Sequence, residues 1–159
     1  MLAVSRSDGR GQSHRRKKKM RSLGIRVVRR RLTPPLPRAH FRVALDDEEL
    51  GVLSISPMHW VGEGAMEPEP RQQVTLRRAA GQDRTFYTWY RTVASGKDDV
   101  RTLTVVQLDR PDGVAINIWQ LEKCEPIRWT GPSFDALSDD FAVEEIEIRY
   151  ASIAWRSSV

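Results

Sequence analysis

The sequence predicts a mainly β fold with one α-helix, arranged as a single domain. Short runs in which apolar and polar residues alternate with period two recur along the chain, and turn-forming residues separate them. One segment, 86–93, instead carries large apolar side chains at helical spacing. The 159 residues, 40% of them apolar, are sufficient for one modest core.

The first 38 residues differ sharply in charge from the rest. They contain thirteen Lys or Arg and one acidic residue, which gives +12, whereas the remainder contains thirteen basic and twenty acidic residues, which gives −7. This composition predicts a disordered basic arm over 1–38 and a β domain over 39–159. The arm could bind nucleic acid or another anionic surface through counterion release. The alternatives are a solvated tail and a true start at Met20.

The β domain is expected to open with a hairpin. Phe41, Val43 and Leu45 alternate with more polar residues, 46–49 form an acidic turn, and 50–55 is a second apolar run. The segment 56–70 contains three prolines and two glycines, so it is expected to be mostly loop. A strand is expected to follow at 73–77.

A single helix is expected next. Asp83 is the expected N-cap, and Gly96 is the residue expected to end the helix. Four large apolar side chains lie on one helical stripe and are interpreted as the side that faces the core: Phe86, Trp89, Tyr90 and Val93.

The second half of the domain is expected to consist of strands. The segments 100–108 and 114–121 flank the turn Asp-Arg-Pro-Asp-Gly at 109–113, which is typical of a hairpin. A separate strand at 125–130 is expected to end at Gly131-Pro132, and an acidic loop follows.

The last expected strand ends at Tyr150. Ile146 and Ile148 are predicted to face the core, while Glu145 and Glu147 face solvent or an interface. Because Phe141 and Val143 lie at odd positions and the two isoleucines at even ones, a β-bulge is predicted near residues 144 and 145.

No pattern indicates an enzyme. The single cysteine, Cys124, excludes an intrachain disulfide and a Cys-rich zinc site, and it has no motif that would make it a nucleophile. The three histidines lack metal-binding spacing, and neither a phosphate-binding glycine loop nor a nucleophile elbow is present. No membrane insertion is expected, since no apolar run approaches about 18 residues.

Three segments carry a family resemblance. They are VTLRRAAGQDRTFYTWYRTVASGK at 74–97, LTVVQLDRPDGVAINIWQL at 103–121 and IRWTGPSFDALSDDFAVEEIEIRY at 127–150. In order and in their endings they resemble the tail tube protein family of contractile-tailed bacteriophages, whose relatives form the inner tubes of extracellular contractile injection systems. The resemblance covers about residues 41–153.

The resemblance implies a β-sandwich or barrel-like tail-tube fold with one helix, and a structural function without a cofactor. It implies hexameric rings that stack into a hollow tube inside a sheath, cytoplasmic until they are assembled into the particle. The implied partners are further copies of the chain, sheath, baseplate and tube-cap proteins, and cargo in the lumen. The residues expected to matter for the subunit and its assembly are Trp89, Tyr90, Trp119, Trp129, Gly131, Pro132, Glu145, Ile146, Glu147 and Ile148.

Two departures from the family pattern leave alternatives open. The segment 61–73 is short and rich in Pro and Glu where the family usually has a longer element that contacts the next ring, which favours a tube-initiator or tube-end subunit at the baseplate. The basic arm is not part of the family pattern. It leaves open a different class of function, a monomeric module that binds nucleic acid through the arm.

Overall fold

The structure, a computed structural model, describes residues 35–60 and 72–158. These residues form eight strands and one helix, which confirms the predicted mainly β class. In chain order the elements are β1 Phe41–Leu45, β2 Glu48–Leu50, β3 Ser54–Ile55, β4 Gln73–Ala79, α1 Thr85–Ala94, β5 Arg101–Leu108, β6 Ala115–Thr130, β7 Val143–Arg149 and β8 Ser152–Ser157. The expectations for the basic arm up to residue 34 and for the loop over 61–71 lie outside the described residues.

The strands form one antiparallel sheet with two halves. The order is β2-β1-β5-β6-β7-β4-β3, and β8 also pairs with β6. The first half contains β2, β1, β5, β8 and the beginning of β6, and the second half contains the end of β6 with β7, β4 and β3. Strand β6 therefore belongs to both halves.

The sixteen residues of β6 replace the two strands that the sequence predicts at 114–121 and 125–130. The strand continues through the predicted gap because Lys123 adopts a left-handed conformation with φ of 54°. Opposite β5, the register shifts between Arg101 and Leu103, where β6 holds an extra residue. This irregularity bends β6 from the first half into the second without ending it.

The predicted bulge at residues 144 and 145 is wrong. The ladder between β4 and β7 is continuous from the pair Gln73 and Arg149 to the pair Ala79 and Val143. The irregularity lies on the opposite strand, where β6 shifts register between Pro126 and Arg128. Phe141 lies outside β7, so its odd position says nothing about the buried face.

Strands β7 and β8 run along β6 almost without interruption. Glu125 pairs with Arg149 in the second half, and Glu122 pairs with Ser152 in the first half. Together these strands form a ribbon in which β6 is one strand and β7 followed by β8 is the other. This ribbon crosses from one half of the sheet to the other. The sequence prediction ended at Tyr150 and missed β8.

The first hairpin is present with different bounds. Its turn contains only Asp46, with φ of 54°, and Asp47. The second strand, β2, begins at Glu48 and ends at Leu50, so the predicted run 50–55 is not one strand. Its last two residues form β3, which pairs with β4.

One core joins both halves and the helix. The buried cluster includes Val43 and Leu103 from the first half, Leu76 and Ile146 from the second, and Trp89 from α1. Each large side chain that is fully buried stabilises the fold by about 1.5–3 kcal/mol relative to exposure. The core therefore holds the two halves against each other.

The helix begins one residue later than predicted. Its N-cap is Arg84, and Asp83 lies just before it, where its carboxylate accepts hydrogen bonds from the Thr85 backbone N–H at 2.8 Å and from the Thr85 hydroxyl at 2.6 Å. At the other end, Gly96 has φ of 84° and its N–H donates to the Val93 carbonyl. Glycine adopts this conformation without strain, which confirms it as the residue that ends the helix.

Candidate assembly surfaces

The corner at the end of β6 is built around a buried ion pair. Arg78 of β4 and Glu144 of β7 are 3% and 6% exposed, and the Arg78 Nε donates to Glu144 Oε1 at 2.6 Å. The other carboxylate oxygen of Glu144 accepts a hydrogen bond of 2.9 Å from the Trp129 indole N–H. The guanidinium of Arg78 also lies over the ring of Phe86. One network thus connects β4, β6, β7 and α1.

Asp83 extends this network to the start of α1. The Arg78 Nη1 donates to Asp83 Oδ2 at 2.6 Å, and Nη2 donates to the Asp83 backbone carbonyl. The hydrogen bonds from Thr85, and secondarily the contact with Arg78, lower the pKa of the Asp83 carboxyl below its usual 3.8. The carboxylate is therefore ionised at neutral pH and fixes the helix start relative to β4.

Gly131 and Pro132 form the outer part of the corner. A Cβ atom at Gly131 would lie 2.9 Å from the Trp129 ring, so the backbone approaches the indole more closely than other residues allow. The same indole packs edge to face against the Tyr87 ring, with 5.1 Å between the ring centroids. The structure therefore brings together three predicted residues, Trp129, Gly131 and Pro132, at one place.

The two predicted glutamates of β7 are paired within the subunit. Glu145 lies 2.7 Å from Arg77 of β4, and Glu147 lies 3.6 Å from Arg128 of β6. Exposed pairs of this kind contribute about 0–1 kcal/mol each. Ile146 and Ile148, which alternate with the two glutamates, are fully buried in the core.

Two of the remaining predicted residues, Trp89 and Trp119, lie in or against the core. Trp89 is buried and its indole N–H donates to the Asp99 carbonyl, while Trp119 packs against the core and is half-buried. Tyr90 is half-buried on α1. A role of these residues in assembly stays a prediction. Such a role would be indirect, because the residues stabilise the shape of the subunit.

The open edge formed by β8 carries Trp155, a residue that the sequence prediction missed. Trp155 pairs across the ladder with Trp119, in the row that also contains the core residues Val43 and Val105. Although it continues this core-facing row, Trp155 is 65% exposed. The alternation of the large apolar residues Ile153 and Trp155 with Ser152, Ala154 and Arg156 was the available sequence pattern.

The loop 131–142 after the corner is a second exposed apolar feature. Phe134, Leu137 and Phe141 are 85%, 96% and 67% exposed. The loop and the outer face of the second half enclose a groove of about 1010 Å³, whose floor includes Arg77 and Glu145. Exposure of three large apolar side chains on one loop is typical of a contact surface.

The described residues contain no arrangement for metal chemistry. No group of three or more His, Cys, Asp and Glu side chains in 35–60 and 72–158 could hold a metal ion. Burial raises the pKa of the Cys124 thiol to about 12, which keeps it protonated at neutral pH. Among these same residues no helix is long and apolar enough to cross a bilayer.

The described residues combine a self-contained core with an open strand edge and an exposed apolar loop, which is typical of a subunit that associates with other chains. The chain matches the family described as T4-like virus tail tube protein gp19 over residues 67–154, more than half of its length. It belongs to this family, which confirms the resemblance inferred from the sequence and the expectation of a structural, non-enzymatic protein. Comparison with curated protein sequences gave no significant match.

Solved structures share the fold. A chain in the cryo-EM structure of the PVC sheath/tube terminator of an extracellular contractile injection system aligns with a TM-score of 0.68 and 20% identity, over 79% of this chain and 99% of that chain. A chain of the anti-feeding prophage tube terminating cap aligns with a TM-score of 0.68 and 19% identity, over 86% and 100%. Hcp1 from Flavobacterium johnsoniae aligns with a TM-score of 0.55 and 11% identity, over 75% of this chain and 96% of that chain.

Proposed function

We propose that the chain is a subunit of the inner tube of a contractile phage tail or contractile injection system. It assembles as hexameric rings that stack inside a sheath, and it is cytoplasmic until it enters the particle. Membership of the tail tube family is the observation that carries this proposal. The similar solved chains come from tube, terminator, cap and baseplate assemblies, which supports sheath, baseplate and cap proteins as partners.

The two ends of the first half of the sheet support assembly into closed rings. At one end β2 pairs only with β1, and at the other end β8 pairs only with β6, among the strands that the structure describes. Open strand edges favour pairing with another chain. Because the two edges differ, they would associate head to tail, and a head-to-tail contact closes into a ring when its rotation allows.

Side chains at these edges support the same association. The β1–β2 hairpin carries four consecutive acidic residues, 46–49, whereas β8 carries Arg156. Trp155 beside Arg156 would be covered if a neighbouring copy extended the core-facing row of β8. Opposite charges at the two edges favour this orientation over edges that meet their own kind.

A subunit at the end of the tube is a second candidate. The observation that favours it is the short segment of seventeen residues between the end of β3 and the start of β4, in which the family usually has a longer contact element. Tubes grown from the purified protein distinguish the two positions. A main tube subunit gives stacks of many rings, whereas an end subunit gives single rings that join only tubes made by another subunit.

Negative-stain electron microscopy of the concentrated protein, with and without sheath and baseplate proteins, tests the tube function. We expect rings for the unchanged chain and monomers for Trp155→Arg, because the new charge lies on the proposed edge contact. The matched control is Val100→Arg, which changes an exposed apolar residue outside both edge strands. A chain that stays monomeric in the presence of all partners would contradict the proposal.

A further inference from the structure

Loop 131–142, called the corner loop below, carries a surface that the subunit itself does not cover. We propose that the corner loop docks onto the exposed face of α1 in a second copy of the chain. This inference rests on the proposed function, because it presupposes that copies assemble. It assigns the two surfaces of one contact between them.

The corner loop presents its apolar side chains outward in a conformation that its own polar groups hold. The Leu137 backbone N–H donates to Asp135 Oδ1 at 2.9 Å, and the Asp140 N–H donates to the Ser138 hydroxyl at 3.1 Å. The side chains of Phe134 and Leu137 are nevertheless almost fully exposed. Both residues therefore gain by burial against a partner.

The corner loop is also acidic without compensation. Residues 129–148 contain six acidic residues and no Lys or Arg. Three of the six, at 144, 145 and 147, pair with arginines of neighbouring strands. The other three lie on the loop and have no ion-pair partner in the part of the chain that the structure describes: Asp135, Asp139 and Asp140.

The exposed face of α1 has the opposite character. The segment 84–97 contains Arg84, Arg91 and Lys97 and no acidic residue. The side chains at 84, 87, 88 and 91 are exposed and follow the spacing of one helical face, with Tyr87 between the two arginines. Within the described residues neither arginine forms an ion pair.

The two surfaces are complementary in charge, and they adjoin at the corner within one subunit, where Tyr87 packs against Trp129. Arg84 and Pro132 line the same small cavity at the corner, yet among the described residues no ion pair joins a loop aspartate to a base of the helix. A second copy supplies both complements at once: apolar contact for Phe134 and Leu137 around Tyr87, and bases for the loop aspartates. Charge complementarity of this kind sets the orientation of a contact.

A charge exchange between the two surfaces tests the inference. The double variant Asp139→Arg with Asp140→Arg reverses the charge of the corner loop. The double variant Arg84→Glu with Arg91→Glu reverses the charge of the helix face. We expect each double variant to raise the protein concentration needed for half-maximal assembly by about tenfold or more, and the quadruple variant to recover most of the loss. Thermal unfolding followed by circular dichroism shows that the variants remain folded.

The control is Asp98→Arg, which reverses an exposed acidic residue outside both surfaces and is expected to assemble normally. Assembly of the unchanged chain should also weaken at high salt, since exposed charges are screened. If the unchanged chain forms rings and the double variants assemble equally well, or if the quadruple variant shows no recovery, the docking inference is wrong while the tube function stands. If the unchanged chain never assembles, both are wrong.

Discussion

The corner at the end of β6 and the β8 edge differ in where their side chains make contacts. At the corner, Arg78, Glu144 and Trp129 are bonded to one another inside the subunit. At the edge, Trp155 continues a core-facing row but remains largely exposed. The difference teaches that stability of the subunit and association between subunits are located at separate places, so substitutions should affect one without the other.

The largest effect is expected at the buried ion pair. Glu144→Leu leaves the buried Arg78 guanidinium without its carboxylate partner and the Trp129 N–H without an acceptor, so the free energy of unfolding should fall by about 3–5 kcal/mol. Chemical denaturation followed by tryptophan fluorescence measures it. The control Glu145→Leu removes the exposed partner of Arg77 and should cost less than about 1 kcal/mol. Equal losses would remove the distinction between buried and exposed pairs.

A smaller effect is expected at Gly131. Gly131→Val places a branched side chain against the Trp129 ring, where even a Cβ would lie at 2.9 Å, and should cost about 1–3 kcal/mol through displacement of the indole. Gly81→Val is the matched control, because nothing lies within 4 Å of a Cβ at Gly81. Normal stability and normal rings from Gly131→Val would show that the close approach at the corner is dispensable.

The contribution of Asp83 should depend on pH. Its pKa is lower in the folded chain than in the unfolded chain, so its stabilisation is present above the usual value of 3.8 and is lost as the pH falls through the folded pKa. Asp83→Asn keeps an acceptor and removes the charge, and it should cost at most about 1 kcal/mol at pH 7 because the carboxylate is half exposed. Denaturation of both proteins from pH 7 to pH 2 should show this difference disappear. A constant difference would contradict the assignment to the charge.

The smallest effect on stability is expected at the edge. Trp155→Ala should change the free energy of unfolding of the monomer by less than about 1 kcal/mol, because it loses only the cross-strand neighbour Trp119 and one exposed hydrogen bond of 3.1 Å from its indole N–H to Asn117 Oδ1. Size-exclusion chromatography should nevertheless show weaker association. If the variant unfolds, Trp155 belongs to the interior of the subunit and the comparison fails.

Local patterns predicted the regular elements well. The alternation in Phe41–Leu45 and at Ile146 and Ile148, and the helical stripe with Phe86 and Trp89, reflect contacts that each element makes with one core. The aromatic and glycine residues of the corner were also found, because Trp-Thr-Gly-Pro marks an abrupt turn. Such features depend on neighbours in the sequence.

The missed features depend on residues far apart in the chain. Glu144 lies among charged residues where the sequence predicts a bulge, and its burial requires Arg78, 66 positions away. Lys123 keeps β6 continuous in a left-handed conformation that is usually adopted by Gly or Asn. A lysine in the sequence therefore does not predict this conformation. Trp155 gave only a short alternation, too brief to predict a strand that gains its stability from pairing with β6.

The shared ribbon of β6 with β7 and β8 has a mechanical consequence. Strand β6 passes from one half of the sheet to the other, and the chain also passes between the halves where β7 continues into β8. A force that pulls the halves apart is therefore carried by the covalent backbone. The hydrogen bonds between the strands are then loaded together in shear, so many must break at once before the ribbon slips. A subunit built this way transmits a push along its length as a single stiff element.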